Sequence, residues 1–253
     1  MASKFSIASA IFLGFPLFAL AAGSDESRDA RNWAVMREQM VEEIERDMRS
    51  ARPYVGRDKL SEPVLKAMKS VERHLFVGDN YRRWAYDNAP LPIGEGQTIS
   101  QPFIVALMTE LLDVDTESKV LEVGTGSGYQ AAVLAEIVKD VYTIEIVGSL
   151  ADAASKRLHA LGYTNVHVKQ GDGTLGWPDE APFDAIVVTA AGINIPRTLL
   201  DQLKPGARLV MPVGAENATQ QLMVVTRNAD GSFIRRKTIP VRFVPITGDN
   251  APK

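Results

Sequence analysis

Three glycines spaced two residues apart follow a short, largely apolar segment, and this turn constrains the fold more than any other feature of the chain. The apolar segment is 120–123, and Gly124, Gly126 and Gly128 come after it. Glycine at the passage from a strand into a helix lets the backbone approach a ligand closely. A dinucleotide site requires the pattern G-x-G-x-x-G or A, whose last place is here the bulky Tyr129. The turn therefore favours a cofactor that has no pyrophosphate.

Apolar runs alternate with helical repeats around and after this turn. Strands are predicted at 119–123, 141–146, 166–170, 183–190 and 207–213, and helices at 127–138, 150–161 and 196–203. This order predicts a doubly wound, Rossmann-like α/β fold with a mainly parallel sheet and helices on both faces. Two further strands, at 220–227 and 239–245, have no helix between them. The far-edge strands should therefore be antiparallel.

The segment before the turn is predicted to contain three helices and one irregular loop. Apolar residues fall at helical spacing in 33–48, 64–71 and 102–112. Ser61 is a candidate N-cap of the second helix. Residues 88–101 contain two prolines and two glycines, which argues against a regular element there.

The first residues differ in composition from the rest of the chain. Lys4 gives a short positive region, residues 5–20 carry no charge, and Ala19-Leu20-Ala21 is a small-x-small cleavage pattern. This predicts export to the periplasm, with Ala22 as the first mature residue. The alternatives are an uncleaved anchor, or a start codon placed upstream of a cytoplasmic protein. The predicted divisions are a signal peptide (1–21), a polar linker (22–32) and a single domain (33–253) with helical (33–115), cofactor-binding (116–215) and antiparallel (216–253) parts.

Composition excludes several kinds of site. The chain has 28 Lys and Arg against 31 Asp and Glu, a net charge of −3, which argues against a nucleic-acid-binding surface. It contains no cysteine, so disulfides, thiolate nucleophiles and cysteine-bound metals are excluded. The three histidines, His74, His159 and His167, are scattered, and no metal site is predicted.

Three acidic residues near the ends of predicted strands indicate which cofactor the turn would serve. Glu145 lies at the end of the second strand, and its carboxylate can accept hydrogen bonds from both hydroxyls of a ribose. Asp172, in Gly-Asp-Gly after the third strand, is placed to contact an adenine amino group. Glu122 could hold a positive amino group. Together they suit S-adenosylmethionine. The alternative is a generic nucleotide fold in which Glu145 is a solvated strand end and Asp172 caps a turn.

Several longer segments carry a family resemblance. They are PLPIGEGQTISQPFIVALMTELL (90–112), VLEVGTGSGYQAAVLAEIV (120–138), GDGTLGWPDEAPFDAIVVTAA (171–191), LLDQLKPGARLVMPVG (199–214) and PVRFVP (240–245). Over residues 60–245 the chain closely resembles the protein-L-isoaspartate O-methyltransferase family, and QTISQP and PVRFVP are the most specific matches. Two positions depart from the family's usual pattern. Glu72 stands where proline is common, and Ile146-Val147 stand where Arg-Ile is common.

The resemblance implies a repair enzyme that moves a methyl group from S-adenosylmethionine to the free α-carboxylate of L-isoaspartyl residues in damaged proteins and peptides. It implies catalytic roles for Thr98 and Ser100, and substrate contacts by these two with Val241, Arg242 and Phe243. The cofactor contacts predicted from the turn, the acidic residues and the resemblance are Gln97, Thr98, Ile99, Ser100, Glu122, Gly124, Thr125, Gly126, Ser127, Glu145, Ile146, Asp172 and Gly173.

Alternatives remain at the level of single residues and of the whole chain. Ser100 could be only a helix cap. Residues 241–244 could pair with a bound peptide as an added strand or be the last strand of the sheet. The chain could be a small-molecule O-methyltransferase on the same fold, or a cofactor-binding module without catalysis.

The expected partners are isoaspartyl proteins and peptides. The sequence gives no reason to expect nucleic acid, or a stable membrane association after signal cleavage, and a monomer is predicted. The resemblance by itself implies a cytoplasmic enzyme, because a compartment outside the cytosol should lack S-adenosylmethionine.

Overall fold

A long helix opens the structure. The computed structural model describes residues 19–216 and 218–248, without the side chains of 19–28 and 31. Helix α1 spans Ala19–Val55, and Met40, Ile44 and Met48 on it are buried. The predicted linker at 22–32 is instead a continuation of this helix. Polar side chains lower the stability of a helix only slightly, unlike glycine and proline, so a polar composition alone does not end a helix. Residues 1–18, most of the predicted signal peptide, lie outside the described residues.

Two shorter α-helices follow in the N-terminal part, and both were predicted, whereas two 3₁₀ helices, at Arg73–Phe76 and Asp79–Trp84, were not. The two α-helices are α2 (Glu62–Ser70) and α3 (Pro102–Leu112). The predicted cap is wrong in its chemistry, because the Ser61 side chain makes no capping bond. Its hydroxyl and its backbone N–H donate to Glu110 Oε2 at 2.7 and 2.8 Å, and Arg57 donates to Glu110 Oε1 at 2.5 Å. Ser61 thus ties α2 to α3 by donating two hydrogen bonds to a buried carboxylate.

The predicted irregular loop at 88–101 contains a two-stranded antiparallel hairpin. Its strands are β1 (Leu91–Gly94) and β2 (Gln97–Ile99). The glycines that argued against regular structure form its turn, since Gly94 and Gly96 have φ of 96° and 71° and Glu95 between them has φ of 52°. The prediction was wrong because these glycines form the turn between two short strands, and a glycine turn is compatible with strands on both sides.

The sheet is confirmed as mainly parallel with antiparallel far-edge strands. Its elements follow in the order β3 (Lys119–Val123), α4 (Tyr129–Ala135), β4 (Asp140–Glu145), α5 (Gly148–Ala160), β5 (Val166–Gln170), β6 (Phe183–Val188), α6 (Arg197–Asp201), β7 (Leu203–Val213), β8 (Gln220–Arg227) and β9 (Phe233–Val241). The strand order is β5-β4-β3-β6-β7-β8-β9, with parallel pairing up to β7 and antiparallel pairing of β8 and β9. Helices pack on both faces, since neighbours Ile186 and Val187 enter two different apolar clusters.

Several element boundaries differ from the prediction, and strand β7, for example, begins at Leu203 instead of residue 207. Helix α4 starts two residues late, because Gly128 has φ of 86°, in the left-handed region, directly before it. The last strand was predicted at 239–245 but occupies Phe233–Val241. Its first half is an exposed sheet edge with charged side chains, which lacks the apolar run that marks a buried strand. Among the described residues, no helix combines the length and apolar character needed to cross a membrane.

Candidate active site

The glycine turn lies at the carboxyl edge of the sheet, between β3 and α4. Gly124, Gly126 and Gly128 have φ of 100°, 53° and 86°, which only glycine adopts readily. A side chain at Gly124 would also overlap Thr189, which follows β6. The turn thus brings the ends of β3 and β6 into close contact, and ligands bind at such edges in open parallel sheets.

Glu145 lies beside the turn and is held by it. Its Oε2 accepts from the Gly126 backbone N–H at 2.8 Å, and its Oε1 accepts from the Val147 N–H at 3.0 Å. The residue is only 6% exposed. The alternative of a solvated strand end is therefore wrong. Because a carboxylate has about four acceptor sites, both oxygens retain capacity for a further donor.

Glu122 is a fully buried carboxyl group within β3. Its Oε2 accepts from Thr143 Oγ1 at 2.6 Å, and its Oε1 has no partner among the described residues. Burial raises the pKa of Glu122 to about 8, and the charge of Glu145 adds to this, against the opposing hydrogen bond from Thr143. Glu122 therefore binds a proton at neutral pH unless a cation approaches it. The unpartnered Oε1 is a place where such a cation would be stabilised.

Asp172 and Gly173 follow β5. Asp172 Oδ1 accepts from the backbone N–H and the hydroxyl of Thr174 at 2.9 and 2.6 Å, and so caps a 3₁₀ turn at Gly173–Leu175. This is the turn-cap alternative. The predicted adenine contact stays a prediction. Gly173 packs so closely on Val123 that a side chain there would overlap it.

The predicted residues line three adjoining cavities at this edge. The first, on the side of the glycine turn, is lined among others by Gln97, Thr98, Gly124, Gly126, Glu145, Ile146 and Gly173. A second lies between the hairpin and the turn and includes Ile99, Ser100, Glu122, Thr125 and Ser127. The third, of about 390 Å³, includes Thr98, Ser100, Val241, Arg242 and Phe243. All predicted site residues except Asp172 thus line these three cavities, which share Thr98 and Thr189.

The hairpin positions Thr98 and Ser100 at the junction of these cavities. Thr98 is exposed on β2, and Ser100 follows the strand. The alternative role of Ser100 as a cap is wrong, because the N-cap position of α3 is Gln101. In the first turn of α3, the backbone N–H of Phe103 is satisfied by Asn88, since it donates to Asn88 Oδ1 at 3.0 Å. The Ser100 side chain therefore does not serve the helix end.

Residues 242–244 leave the sheet after β9 ends at Val241. Phe243 N–H donates to the side-chain oxygen of Gln220 at 2.9 Å, and Val244 O accepts from Ala191 N–H at 2.8 Å. They are therefore not the last strand of the sheet. They form a wall of the third cavity, and their pairing with a peptide stays a prediction.

Thr189 was missed by the sequence analysis. Its hydroxyl donates to Gly124 O at 2.6 Å, and it lines all three cavities. The available signal was its position, since it is the first polar residue after the apolar strand β6. Within the described residues, no group of three or more His, Asp or Glu side chains is arranged to hold a metal ion.

Comparison with known proteins decides the family. The sequence profile described as Protein-L-isoaspartate(D-aspartate) O-methyltransferase (PCMT) matches residues 55–251. The chain belongs to this family. The resemblance inferred from QTISQP, PVRFVP and the glycine turn is therefore confirmed.

Individual members of the protein-L-isoaspartate O-methyltransferase family match over most of their length. The chain is 53% identical to protein-L-isoaspartate O-methyltransferase 2 of Syntrophobacter fumaroxidans over 237 residues, 94% of this chain and 96% of that protein. It is 54% identical to protein-L-isoaspartate O-methyltransferase 2 of Nitrosococcus oceani over 210 residues, 83% and 95% of the two chains.

Solved structures show the same fold. A protein-L-isoaspartate O-methyltransferase with 28% identity superposes with a TM-score of 0.75 and covers 85% of this chain and 67% of that one. A Plasmodium falciparum protein, described as a putative enzyme of this kind in complex with S-adenosyl-L-homocysteine, has 24% identity and a TM-score of 0.68. The match covers 83% of this chain and 98% of that one.

The buried Glu122 gives a testable pH dependence of stability. Its pKa of about 8 in the folded chain exceeds the ordinary value of 4.5, so the folded state holds a proton that the unfolded state releases. The free energy of unfolding should therefore fall as pH rises from about 4.5 and level off above about 8. Glu122→Gln removes this loss. We expect the variant to gain stability relative to the unmodified chain between pH 5 and pH 8.5, as measured by urea unfolding.

If the free energy of unfolding changed with pH in the same way in the unmodified chain and in Glu122→Gln, Glu122 would not be the group that titrates. Thr143→Val is the companion variant, because it removes the hydroxyl that stabilises the ionised form. It should deepen the loss of stability with pH, whereas Glu122→Gln should abolish it.

Proposed function

We propose that this chain transfers a methyl group from S-adenosylmethionine to the free α-carboxylate of L-isoaspartyl residues in damaged proteins and peptides. Membership of the family supports the reaction. The observation that carries the proposal is the junction of the cavities at Thr98 and Thr189, with acidic groups on one side and the hydroxyls of the hairpin on the other. Such a junction suits a donor and an acceptor that must meet end to end.

The cofactor side fits the chemical groups of S-adenosylmethionine. Glu145 has acceptor capacity for ribose hydroxyls, Ile146 offers an apolar surface for adenine, and the unpartnered Oε1 of Glu122 suits the ammonium of the amino-acid tail. Gly124 and Gly126 permit close approach of the backbone. The related Plasmodium protein was solved with S-adenosyl-L-homocysteine, the demethylated product of this cofactor. When bound, the cofactor supplies an electrophilic methyl group on a sulfonium.

The substrate side needs to orient the acceptor more than to activate it. An α-carboxylate has a pKa of about 3.5, so it is ionised at neutral pH and needs no general base. Hydroxyls of Thr98 and Ser100 can donate to one of its oxygens without protonating it. Holding the other oxygen in line with the methyl group then supplies most of the acceleration.

The product explains why such a reaction repairs a protein. The methyl ester is attacked by the backbone nitrogen of the following residue, methanol leaves, and a succinimide forms. Water then opens the ring, and part of the product is ordinary aspartate. The enzyme itself is needed only for the first step.

Both alternative functions make different demands on the site. A non-catalytic cofactor-binding module would not need the hydroxyls of Thr98 and Ser100. A small-molecule O-methyltransferase would need a cavity that excludes a polypeptide. The lining of the third cavity includes the exposed residues Pro90, Pro240 and Arg242, which suits a peptide substrate.

The decisive assay compares two peptides that differ in one linkage. The purified protein should transfer labelled methyl groups to a peptide with an L-isoaspartyl residue and not to the same peptide with aspartate, because only the former has a free α-carboxylate at that residue. Equal labelling of both peptides would refute the proposal, as would labelling of neither.

Two substitutions should separate the cofactor and substrate sides. Glu145→Ala should weaken S-adenosylmethionine binding by about 1–3 kcal/mol, the cost of leaving hydroxyls unpaired.

Ser100→Ala should lower turnover on the isoaspartyl peptide while cofactor affinity stays within about twofold, because the hydroxyl orients the acceptor. Calorimetry and steady-state kinetics measure the two effects. Identical profiles for the two variants would show that the sides are not distinct.

Export also remains a proposal. Lys4, the uncharged residues 5–20 and the Ala19-Leu20-Ala21 pattern support cleavage before Ala22 and a location outside the inner membrane. We expect N-terminal sequencing of the protein from the periplasmic fraction to give Ala22. Intact Met1 in the cytosolic fraction would overturn this. The monomeric state also stays a prediction.

A further inference from the structure

Arg73 joins the two ends of the segment that carries the hairpin. Its side chain is fully buried. The Nε donates to Ala85 O at 2.8 Å, and Nη2 donates to Ser100 O at 2.8 Å and to Ala89 O at 3.4 Å. The carbonyls of Ala85 and Ala89 precede β1, whereas the carbonyl of Ser100 follows β2. A single guanidinium thus closes the base of the hairpin.

This arrangement leaves a cation buried without an anion. Among the described residues no carboxylate pairs with Arg73, and its Nη1 has no partner. The guanidinium carbon lies 4.8 Å from the centre of the Tyr129 ring. Burial lowers the pKa of Arg73 to about 10, so the group remains charged at neutral pH. An apolar side chain would fill such a space at lower cost. The charge therefore calls for a role beyond packing.

The backbone carbonyl of Ser100 offers that role. The carbonyl carbon and Cβ leave from the same Cα, so restraining the carbonyl also restrains where the Ser100 Cβ lies. The hydroxyl can then reach only the positions that the staggered χ1 rotamers allow from that point. Guanidinium donors suit this task because their fork is planar and rigid. Among the described residues, the bond from Arg73 is the hydrogen bond that holds Ser100. The nearby Phe103 is held separately, because its backbone N–H donates to Asn88 Oδ1.

We propose that Arg73 is a positioning residue for methyl transfer, which aims the Ser100 hydroxyl into the substrate cavity by holding the Ser100 carbonyl. The inference rests on the proposed function of the site. It adds a residue that lines none of the three cavities and that the sequence motifs alone leave unassigned. Glu145 is held by backbone amides and not by Arg73. Arg73 does pack on the Tyr129 ring, which lines the second cavity, so the cofactor affinity of an Arg73 variant has to be measured alongside its kinetics.

The test compares Arg73→Lys with the unmodified chain. Lysine keeps the charge but cannot reach carbonyls at both ends of the segment with a fork. The control is Arg236→Lys, because Arg236 also donates to backbone carbonyls, those of Tyr54 and Val55, outside the site. Three quantities are measured for each protein: amide hydrogen exchange, S-adenosylmethionine affinity by calorimetry, and kcat and KM for an isoaspartyl peptide.

We expect Arg73→Lys to speed exchange in residues 85–101 while β3 and β6 keep their protection. Its kcat/KM should fall by about tenfold to a hundredfold, the usual cost of a misplaced reacting geometry, with cofactor affinity within about twofold. Arg236→Lys should change none of these. Added guanidinium, well below denaturing concentrations, should restore part of the activity of Arg73→Ala.

Two outcomes would overturn the proposal. One is unchanged exchange and kinetics in Arg73→Lys. The other is an equal loss of protection in the central sheet and of cofactor affinity, which would make Arg73 a general stabilising residue. If Arg73→Lys does not fold, Arg73→Ala is measured in the presence of guanidinium, and the same two outcomes are distinguished with that protein. Failure of the unmodified chain to methylate the peptide would refute the proposed function, while hydrogen exchange would still test whether Arg73 holds the hairpin.

Discussion

The structure depends on the close approach of three strand ends at the glycine turn. Gly124 N–H donates to Ile144 O at 2.8 Å, and Thr189 N–H donates to Val123 O at 2.9 Å. The Thr189 hydroxyl reaches Gly124 O at 2.6 Å, into space that any side chain at 124 would occupy. This contact aligns β3, β4 and β6 at one edge. The parallel register then brings Glu145 to the same edge, beside the amide of the turn.

The site combines this rigid edge with a hairpin that is held by apolar packing, above all of Ile99, and by polar contacts at its base. The strands β1 and β2 form their own two-stranded sheet and do not extend the central one. Asn88 and Arg73 fix the hairpin through hydrogen bonds to the backbone. Buried Glu122 and Arg73 are both costly to the folded state, since each retains an atom without a partner. Such costs are typical of residues retained for binding or positioning, because apolar residues of similar size would be more stabilising.

Sequence reasoning was most successful where a local pattern had a single physical meaning. The glycine spacing and the apolar segment before it located β3, the turn and the start of α4 to within two residues. Glu145 was predicted from its place at a strand end, and the hairpin residues Thr98 and Ser100 from specific motifs. The errors fell where local signals were ambiguous. Glycines at 94 and 96 close a hairpin, and the polar residues at 22–32 continue a helix.

The sequence by itself determined the order of the strands and helices of the central sheet, the family and many of the residues that line the site, because periodicity and motifs are local properties of a chain. Only the tertiary structure decided how those residues are used. Asp172 caps a turn, the Ser61 side chain binds Glu110 instead of an amide of its own helix, and Thr189 lines all three cavities. It also showed that Arg73 holds Ser100, a contact across 27 positions. Hydrogen-bond partners far apart in the chain are chosen by packing, and no local pattern encodes that choice.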